Sequence, residues 1–350
     1  MIVFSAWFGN QYVDPVRLDF RDAFCRMDCT WYMDIISHGY QLAPSGLRDG
    51  GAANWAFFPL FPKIVSFISH LSMVPALYVG YLLNSVLFFF GLYFLFVYVK
   101  KVYDEKIAMT AVLLMAFSPY SLYFSTFYSE SMFFLLFILV FVFADQGKWV
   151  EAGLFAALLS ATRPLGVMIV FPILIMGLKQ VGFKNLIFFK TEDVYKVWFA
   201  LVIAPLGLFA YIHFLYLHTG DAMAFSHIQI AWHRYVQNPF RLLIGGLMQP
   251  IASYGFYTTI ATVGGLLITL MLFLKKRYAE FSFMVLAIFI PLSTSLVAMP
   301  RYIFTLFPTY MLLALFVDRS TYLKNIMVFI LMIGLLFLSV SWVMGEWYTR

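Results

Sequence analysis

The chain has 350 residues, of which 63% are hydrophobic and only 11% are charged. Soluble domains average about 45–50% apolar and about 25% charged residues, so this composition excludes an ordinary water-soluble fold. The formal net charge is +6, but the basic residues are scattered between apolar runs. Scattered charge is a poor match for a nucleic-acid backbone, which needs a basic patch or stripe. The sequence therefore predicts an all-α polytopic membrane protein that does not bind nucleic acid.

Runs of about 20 apolar residues, the length that crosses a bilayer as a helix, recur along the chain. The clear ones are Val74–Val99, Trp198–Leu217, Ile251–Leu274, Phe281–Ala298, Tyr302–Val317 and Ile326–Met344. Between residues 107 and 178 the apolar sequence is interrupted by prolines and charges, which favours four shorter segments over two long ones. Met1–Val13 has the character of the tail of one more span. We therefore predict about eleven passages in a single domain over residues 1–350.

Two long loops lie on one side of this predicted topology, at residues 14–73 and 220–250. Each contains an amphipathic stretch, Trp31–Tyr40 and Phe225–Leu243, of the kind that forms an interfacial helix. On the loop side 9 of the 10 basic residues are Arg, whereas 11 of the 13 on the opposite side are Lys. Lysine suffices to hold a loop in the cytoplasm, but arginine recognises phosphate in a forked geometry. The pattern predicts an extracytoplasmic face that binds a phosphate-bearing ligand, although a chance distribution of surface charge would look the same.

The first loop carries the run RMDCTWY at residues 26–32, followed by HGY at 38–40. Asp28 is a carboxylate just outside the membrane, among aromatic residues that stack on sugars, and it is placed to accept a proton from a sugar hydroxyl. The alternative is that Asp28 only pairs with Arg26 in a solvated loop. Cys25 and Cys29 have no second Cys or His pair to complete a zinc site, so we interpret them as two inert thiols.

Four further segments place polar groups beside prolines or aromatics on the same side. The run AFFPLFP at residues 56–62 predicts a rigid apolar re-entry into the membrane, or simply an interfacial anchor. Glu130 lies near a helix end, where its hydroxyl neighbours serve a ligand or cap the helix. Arg163 precedes a proline between two apolar segments, and Arg301 follows one near an outer helix end. A charge at such a place is costly without a partner, so a functional role is the default hypothesis.

Taken in order, with SPYSLYFS at residues 118–125, ATRPLG at 161–166 and PRY at 300–302, these motifs resemble those of the PIG-V family. This is the GPI mannosyltransferase 2 type within the GT-C glycosyltransferases, and the resemblance runs from about residue 24 to about residue 310. It implies a GT-C type multi-helix bundle with its active site on the extracytoplasmic face. It also implies a polyprenyl- or dolichyl-phosphate-linked sugar donor, usually of mannose, and inversion at the anomeric carbon.

The resemblance also implies roles for particular residues. Asp28 matches the family's first-loop acidic residue and becomes the predicted catalytic base. Arg163 and Arg301 are predicted, from their charge and location, to bind the donor phosphate. The predicted sugar and acceptor site comprises Trp31, Tyr32, His38 and Glu130. The predicted wall beside the lipid tail comprises Phe57, Phe58, Pro59 and Pro62.

The sequence thus predicts transfer of a sugar from a polyprenyl-phosphate-linked donor to a lipid or glycan acceptor. No cofactor is required; a divalent metal is compatible with the sequence but not indicated, because no close carboxylate pair lies on the outer side. A transporter or flippase of a lipid-linked sugar and a non-catalytic assembly partner remain alternatives. A transporter would show two repeated halves, and no repeat is visible. The expected location is the bacterial inner membrane with the site facing the periplasm or exterior, or the ER membrane with a lumenal site if the protein is eukaryotic.

Overall fold

The computed structural model describes residues 25–45, 51–189 and 191–346, and over these ranges the chain is largely helical. Short 3-10 helices at Asn54–Ala56, Pro119–Ser121, Pro164–Ile169 and Ile228–Trp232 connect several of the α-helices. The predicted all-α class is therefore confirmed. The α-helices are α1 Asp28–His38, α2 Leu60–Ser72, α3 Ala76–Val102, α4 Glu105–Ala116, α5 Leu122–Ser125, α6 Glu130–Asp145, α7 Trp149–Ser160, α8 Val170–Val181, α9 Phe183–Phe188, α10 Glu192–Ile203, α11 Leu206–Thr219, α12 Ala224–His227, α13 Pro239–Leu247, α14 Tyr254–Leu274, α15 Tyr278–Leu292, α16 Met299–Phe304, α17 Phe307–Val317 and α18 Thr321–Met344.

Several helical stretches are long and apolar enough to cross a bilayer, which confirms the polytopic class. Within the described ranges there are five: Ala76–Val102, Pro164–Val181, Glu192–Thr219, Tyr254–Leu274 and Thr321–Met344. Helix α4 and the segment Pro119–Ser125 make a sixth if the 69° bend between them lies within one span. The predicted total of about eleven passages stays a prediction, because further crossings would use helices shorter than 18 residues, such as α7, α15 and α17.

The interrupted region between residues 107 and 178 forms shorter helices, as the sequence predicts. Helices α4, α6 and α7 and the stretch Pro164–Val181 occupy it. The predicted span Tyr302–Val317 is divided, however, because α16 ends at Phe304 and α17 begins at Phe307 with a proline in its first turn. Proline removes a backbone donor and favours the start of a helix, so the chain breaks there. Residues 1–13, the predicted tail of another span, lie outside the described ranges.

Helix α6 runs through the interior of the bundle and has apolar residues on all its faces, most of them buried. A helix that is hydrophobic all round belongs in a core. Helix α3 packs closely against this region because Gly80 meets Phe127 and Gly91 meets Phe134, where a Cβ would clash with either ring. The central position of α6 carries its first residue, Glu130, into the protein interior at one end of the bundle.

The ion pairs of the structure divide between the two ends of the bundle. At one end Lys101 pairs with Asp145 at 2.6 Å and Lys106 with Asp318 at 3.2 Å. Within the described ranges, the charged side chains that the sequence assigns to the outer side form ion pairs only with one another. Charge is therefore segregated as the predicted topology requires, while the orientation of these ends in a membrane stays a prediction.

Candidate active site

Four charged side chains from distant parts of the sequence meet at one end of the bundle. Arg301 Nη2 lies 3.0 Å from Asp28 Oδ2, and Arg301 Nε lies 3.4 Å from Glu130 Oε1. Arg163 Nη2 lies 2.5 Å from the same Glu130 oxygen. We name Asp28, Glu130, Arg163 and Arg301 the charged cluster. It unites the predicted base, both predicted phosphate-binding arginines and one predicted sugar-site residue.

Local sequence explains how these side chains reach one another. Arg163 lies in a tight turn in which Pro164 starts a 3-10 helix and Gly166 packs against the Leu159 carbonyl, where a Cβ would clash. Asp28 begins α1, a position at which a negative charge is favoured by the helix dipole. Met27 precedes it with φ 54°, and Ala298, at the start of α16, has φ 65°. Such conformations are costly for non-glycine residues and concentrate at functional sites, so their presence beside the charged cluster supports a functional role.

The two carboxylates of the cluster differ in accessibility. The Asp28 side chain is 28% exposed, whereas that of Glu130 is 1% exposed. Glu130 Oε2 accepts no hydrogen bond within the part of the chain that the structure describes. The alternative pairing of Asp28 with Arg26 is wrong: the Arg26 guanidinium donates to the Val343 carbonyl at 2.6 Å instead. Asp28 can therefore meet a ligand, while Glu130 mainly compensates buried arginine charge.

Tyrosines and a serine surround the cluster. The Arg301 guanidinium lies over the rings of three tyrosines, at 5.4 Å from Tyr123, 5.2 Å from Tyr128 and 5.7 Å from Tyr302. The hydroxyls of Tyr32 and Ser129 share a hydrogen bond of 2.9 Å, and Arg163 Nε donates to the same serine oxygen. Burial raises the pKa of Tyr32 to about 12. The Tyr32 hydroxyl therefore stays protonated near neutral pH, which excludes it as a general base.

Three aromatic side chains pack together around Trp31, which lies one helical turn along α1 from Asp28. Trp31 stacks on Phe57 with ring centroids 5.9 Å apart, and the edge-on ring of Trp232 lies 5.6 Å from Trp31. Trp232 belongs to the second long loop, which thus reaches the first. Of the predicted lipid-tail wall, Phe57 joins this aromatic group, whereas Phe58 is buried against Tyr211 with centroids 4.6 Å apart. Pro62 is also buried, and Pro59 directly precedes α2. The wall's role stays a prediction.

Asp34 and Asn54 form a polar network that sequence reasoning missed. The side-chain amide of the buried Asn54 donates to Asp34 Oδ2 at 2.8 Å and to the Gly39 carbonyl at 3.0 Å, and its oxygen accepts from the backbone N–H of Gln41. The exposed His38 ring lies 3.0 Å from Asp34, which is not a member of the charged cluster. The predicted role of His38 in the sugar site therefore stays a prediction. The one available signal was that Asp34 follows Trp31 by about one helical turn, which places both side chains on neighbouring parts of the same helix face.

Asn54→Ala is expected to lower stability by about 2–3 kcal/mol, because Asp34 and two backbone groups lose their buried partner. Thermal unfolding in detergent measures this loss. Asn325→Ala is the matched control, since Asn325 is exposed near the start of α18 and its loss should shift the midpoint little. An Asn54→Ala protein as stable as the wild type would contradict a structural role for the network.

Two cavities adjoin the charged cluster. The larger, about 270 Å³, lies between α14, α16 and α18 and has Arg301 in its wall together with four tyrosines, Tyr120, Tyr123, Tyr254 and Tyr257. The smaller, about 20 Å³, is bounded by Glu130, Arg163 and Tyr302. A mostly apolar cavity with a guanidinium in its wall suits an amphipathic anion.

Cys25 and Cys29 form a disulfide, so the prediction of two inert thiols is wrong. The bond joins the start of α1 to the residue before Arg26, directly beside Asp28. Within the described ranges, no three His, Cys, Asp or Glu side chains are grouped as a metal site. Whether the reaction needs a metal or another cofactor stays a prediction.

Comparison with known proteins identifies the family. Residues 14–231 match the mannosyltransferase (PIG-V) family, and this match covers more than half of the 350 residues. No curated protein matches the chain. The matched range includes Asp28, Glu130 and Arg163 and ends before Arg301. The predicted resemblance is thereby confirmed, and the chain belongs to the PIG-V family of mannosyltransferases, which makes it a membrane glycosyltransferase.

Proposed function

We propose that this mannosyltransferase takes mannose from a polyprenyl-phosphate donor and transfers it to a hydroxyl of a lipid or glycan acceptor at the extracytoplasmic face. The carrying observation is the position of Arg301, which touches Asp28 and also lines the apolar cavity. The apolar cavity, Arg301 and Asp28 follow one another in the same order as the isoprenoid tail, the phosphate and the sugar of such a donor. The isoprene units next to the phosphate would occupy the tyrosine-lined cavity, which becomes a proposed lipid site in addition to the predicted wall at Phe57–Pro62.

The proposed reaction uses Asp28 as the base. Its carboxylate takes the proton of the acceptor hydroxyl, whose oxygen attacks the anomeric carbon from the side opposite the phosphate. The bond between that carbon and the phosphate oxygen breaks, and polyprenyl phosphate leaves with its electron pair, so the configuration inverts. Arg163 and Arg301 stabilise the negative charge of the departing phosphate, a contribution that is often the largest in such reactions.

The ion pairs of Arg301 suggest an order in which the donor and the base act. Arg301 is already neutralised by Asp28 and Glu130. A donor phosphate that reaches Arg301 competes with the Asp28 carboxylate and releases it toward the acceptor. Donor binding therefore precedes formation of a competent base.

Two observations support an extracytoplasmic site. Disulfides persist in oxidising compartments, and the Cys25–Cys29 bond lies beside Asp28. The lysine-rich pairs lie at the other end of the bundle, as expected for a cytoplasmic side.

A donor panel tests the proposal. The purified full-length protein should transfer mannose from polyprenyl-phosphate-mannose and not from a nucleotide-linked mannose, and the product should have inverted anomeric configuration by NMR. Transfer from the nucleotide donor alone, or retention of configuration, would overturn it.

The lipid site can be tested separately by filling the cavity. Leu338→Trp, on the cavity wall, is expected to raise the KM for the donor about tenfold, because overpacking costs about 1–3 kcal/mol. The KM for the acceptor should not change. Leu336→Trp is the matched control, since Leu336 is 67% exposed on the same helix and belongs to its outer surface. Equal donor KM values for both variants would contradict the placement of the donor tail in this cavity.

A further inference from the structure

Arg234, on the second long loop, is a cation at the site without a carboxylate partner among the residues that the structure describes. Its Nη1 lies 3.4 Å from Gln229 Oε1, and its guanidinium lies close to the Tyr302 side chain. Both neighbours are neutral. Arg163 and Arg301, in contrast, are each held by a carboxylate.

The three arginines near Tyr302 outnumber the carboxylates that pair with them. Arg301 lies over the Tyr302 ring at 5.7 Å, Arg163 lines the same small cavity as Tyr302, and Arg234 lies close to its side chain. Asp28 and Glu130 are the carboxylates paired with this group. An incoming anion with a single negative charge, which is the charge of a phosphodiester, would make the site neutral. Among the three arginines, only Arg234 can accept such an anion without giving up an ion pair.

The second loop is also packed onto the catalytic helix. Trp232, two residues before Arg234, contacts Trp31 on α1. His233 has φ 56°, so the chain turns sharply directly before Arg234. The contact of Trp232 with Trp31 therefore holds this part of the loop, including Arg234, against α1.

We infer that Arg234 is the first anchor of the donor phosphate and that the Tyr302 hydroxyl positions its guanidinium. This inference rests on the proposed function. A phosphate oxygen replaces the neutral partners of Arg234, and the phosphate then reaches Arg301 and displaces Asp28. Sequence reasoning assigned Arg234 only to the outer face, and it lies beyond the range matched by the family, residues 14–231.

The experiment measures equilibrium binding of polyprenyl phosphate and of uncharged polyprenol to the full-length protein in detergent. Arg234→Gln is expected to weaken binding of polyprenyl phosphate about tenfold and to leave binding of polyprenol unchanged, because only the phosphate makes a charge-assisted hydrogen bond. Tyr302→Phe should weaken phosphate binding about threefold by releasing the guanidinium. Arg241→Gln is the matched control: Arg241 is an exposed arginine of the same loop, and its variant should bind both ligands normally.

The outcomes separate this inference from the proposed function. If wild type prefers polyprenyl phosphate to polyprenol and Arg234→Gln keeps that preference, Arg234 is not the anchor but the proposed donor stands. Equal weakening of both ligands by Arg234→Gln would show a structural role and would also overturn the inference. If wild type does not distinguish the two lipids, both the inference and the polyprenyl-phosphate donor are wrong.

Discussion

Asp28→Asn is expected to lower kcat for mannose transfer by about 100-fold to 10,000-fold, the range that general-base catalysis contributes. Asparagine has nearly the shape of aspartate but cannot take the acceptor proton. Donor binding should persist, because Arg301 loses a competing carboxylate and remains partnered by Glu130. The measurement is the initial rate of product formation at saturating donor, with polyprenyl phosphate affinity determined alongside.

Asp34→Asn is the matched control for this variant. Asp34 lies on the same helix but its contacts are with His38, Gln41 and Asn54 instead of the charged cluster. It should retain transfer within a few-fold of wild type. An Asp28→Asn enzyme with more than a tenth of the wild-type kcat would contradict the assignment of Asp28 as base.

Glu130→Gln is expected to destabilise the protein by about 3–5 kcal/mol, the cost of removing one partner from a buried ion pair. Glu130 is nearly inaccessible and pairs with both Arg163 and Arg301, so its neutralisation leaves cationic charge uncompensated in the interior. The midpoint of thermal unfolding in detergent measures the effect. It should fall by several degrees even with the donor absent.

Two further variants show whether the buried charge is the cause. Glu105→Gln removes the acid of the exposed Lys100 pair and should change stability by no more than about 1 kcal/mol. The double variant Glu130→Leu with Arg163→Met should be less destabilised than Glu130→Gln, since fewer charges are left unpaired. An unfolding midpoint for Glu130→Gln equal to that of wild type would contradict the role of Glu130 as counter-ion.

Features encoded within a short stretch of sequence could be predicted. The apolar length of Ala76–Val102 and the proline and charge interruptions between residues 107 and 178 depend only on local composition, and both predictions agree with the structure. Arg163 and Arg301 could be selected because a charge beside an apolar segment is costly, and Asp28 because it is a carboxylate among aromatic residues. Their selection required no knowledge of contacts.

Pairings between distant positions could not be predicted. Asp28 and Arg301 are separated by 273 positions, and nothing local tells an arginine which carboxylate it will meet. For the same reason the sequence suggested the neighbouring Arg26 as a possible partner of Asp28. It also gave no sign that Trp232 and Arg234 lie near the first loop. The disulfide was missed because spacing alone does not reveal whether two thiols are oxidised.

Sealed vesicles containing the full-length protein and labelled polyprenyl-phosphate-mannose distinguish mannose transfer from transport of the intact donor. The measurement follows, in the same sample, acceptor mannosylation, release of polyprenyl phosphate, and movement of intact donor between leaflets. We expect one polyprenyl phosphate released for each mannose transferred, with both processes lost in Asp28→Asn. Movement of intact donor across the membrane without cleavage, unaffected by Asp28→Asn, would contradict it and identify a transporter instead.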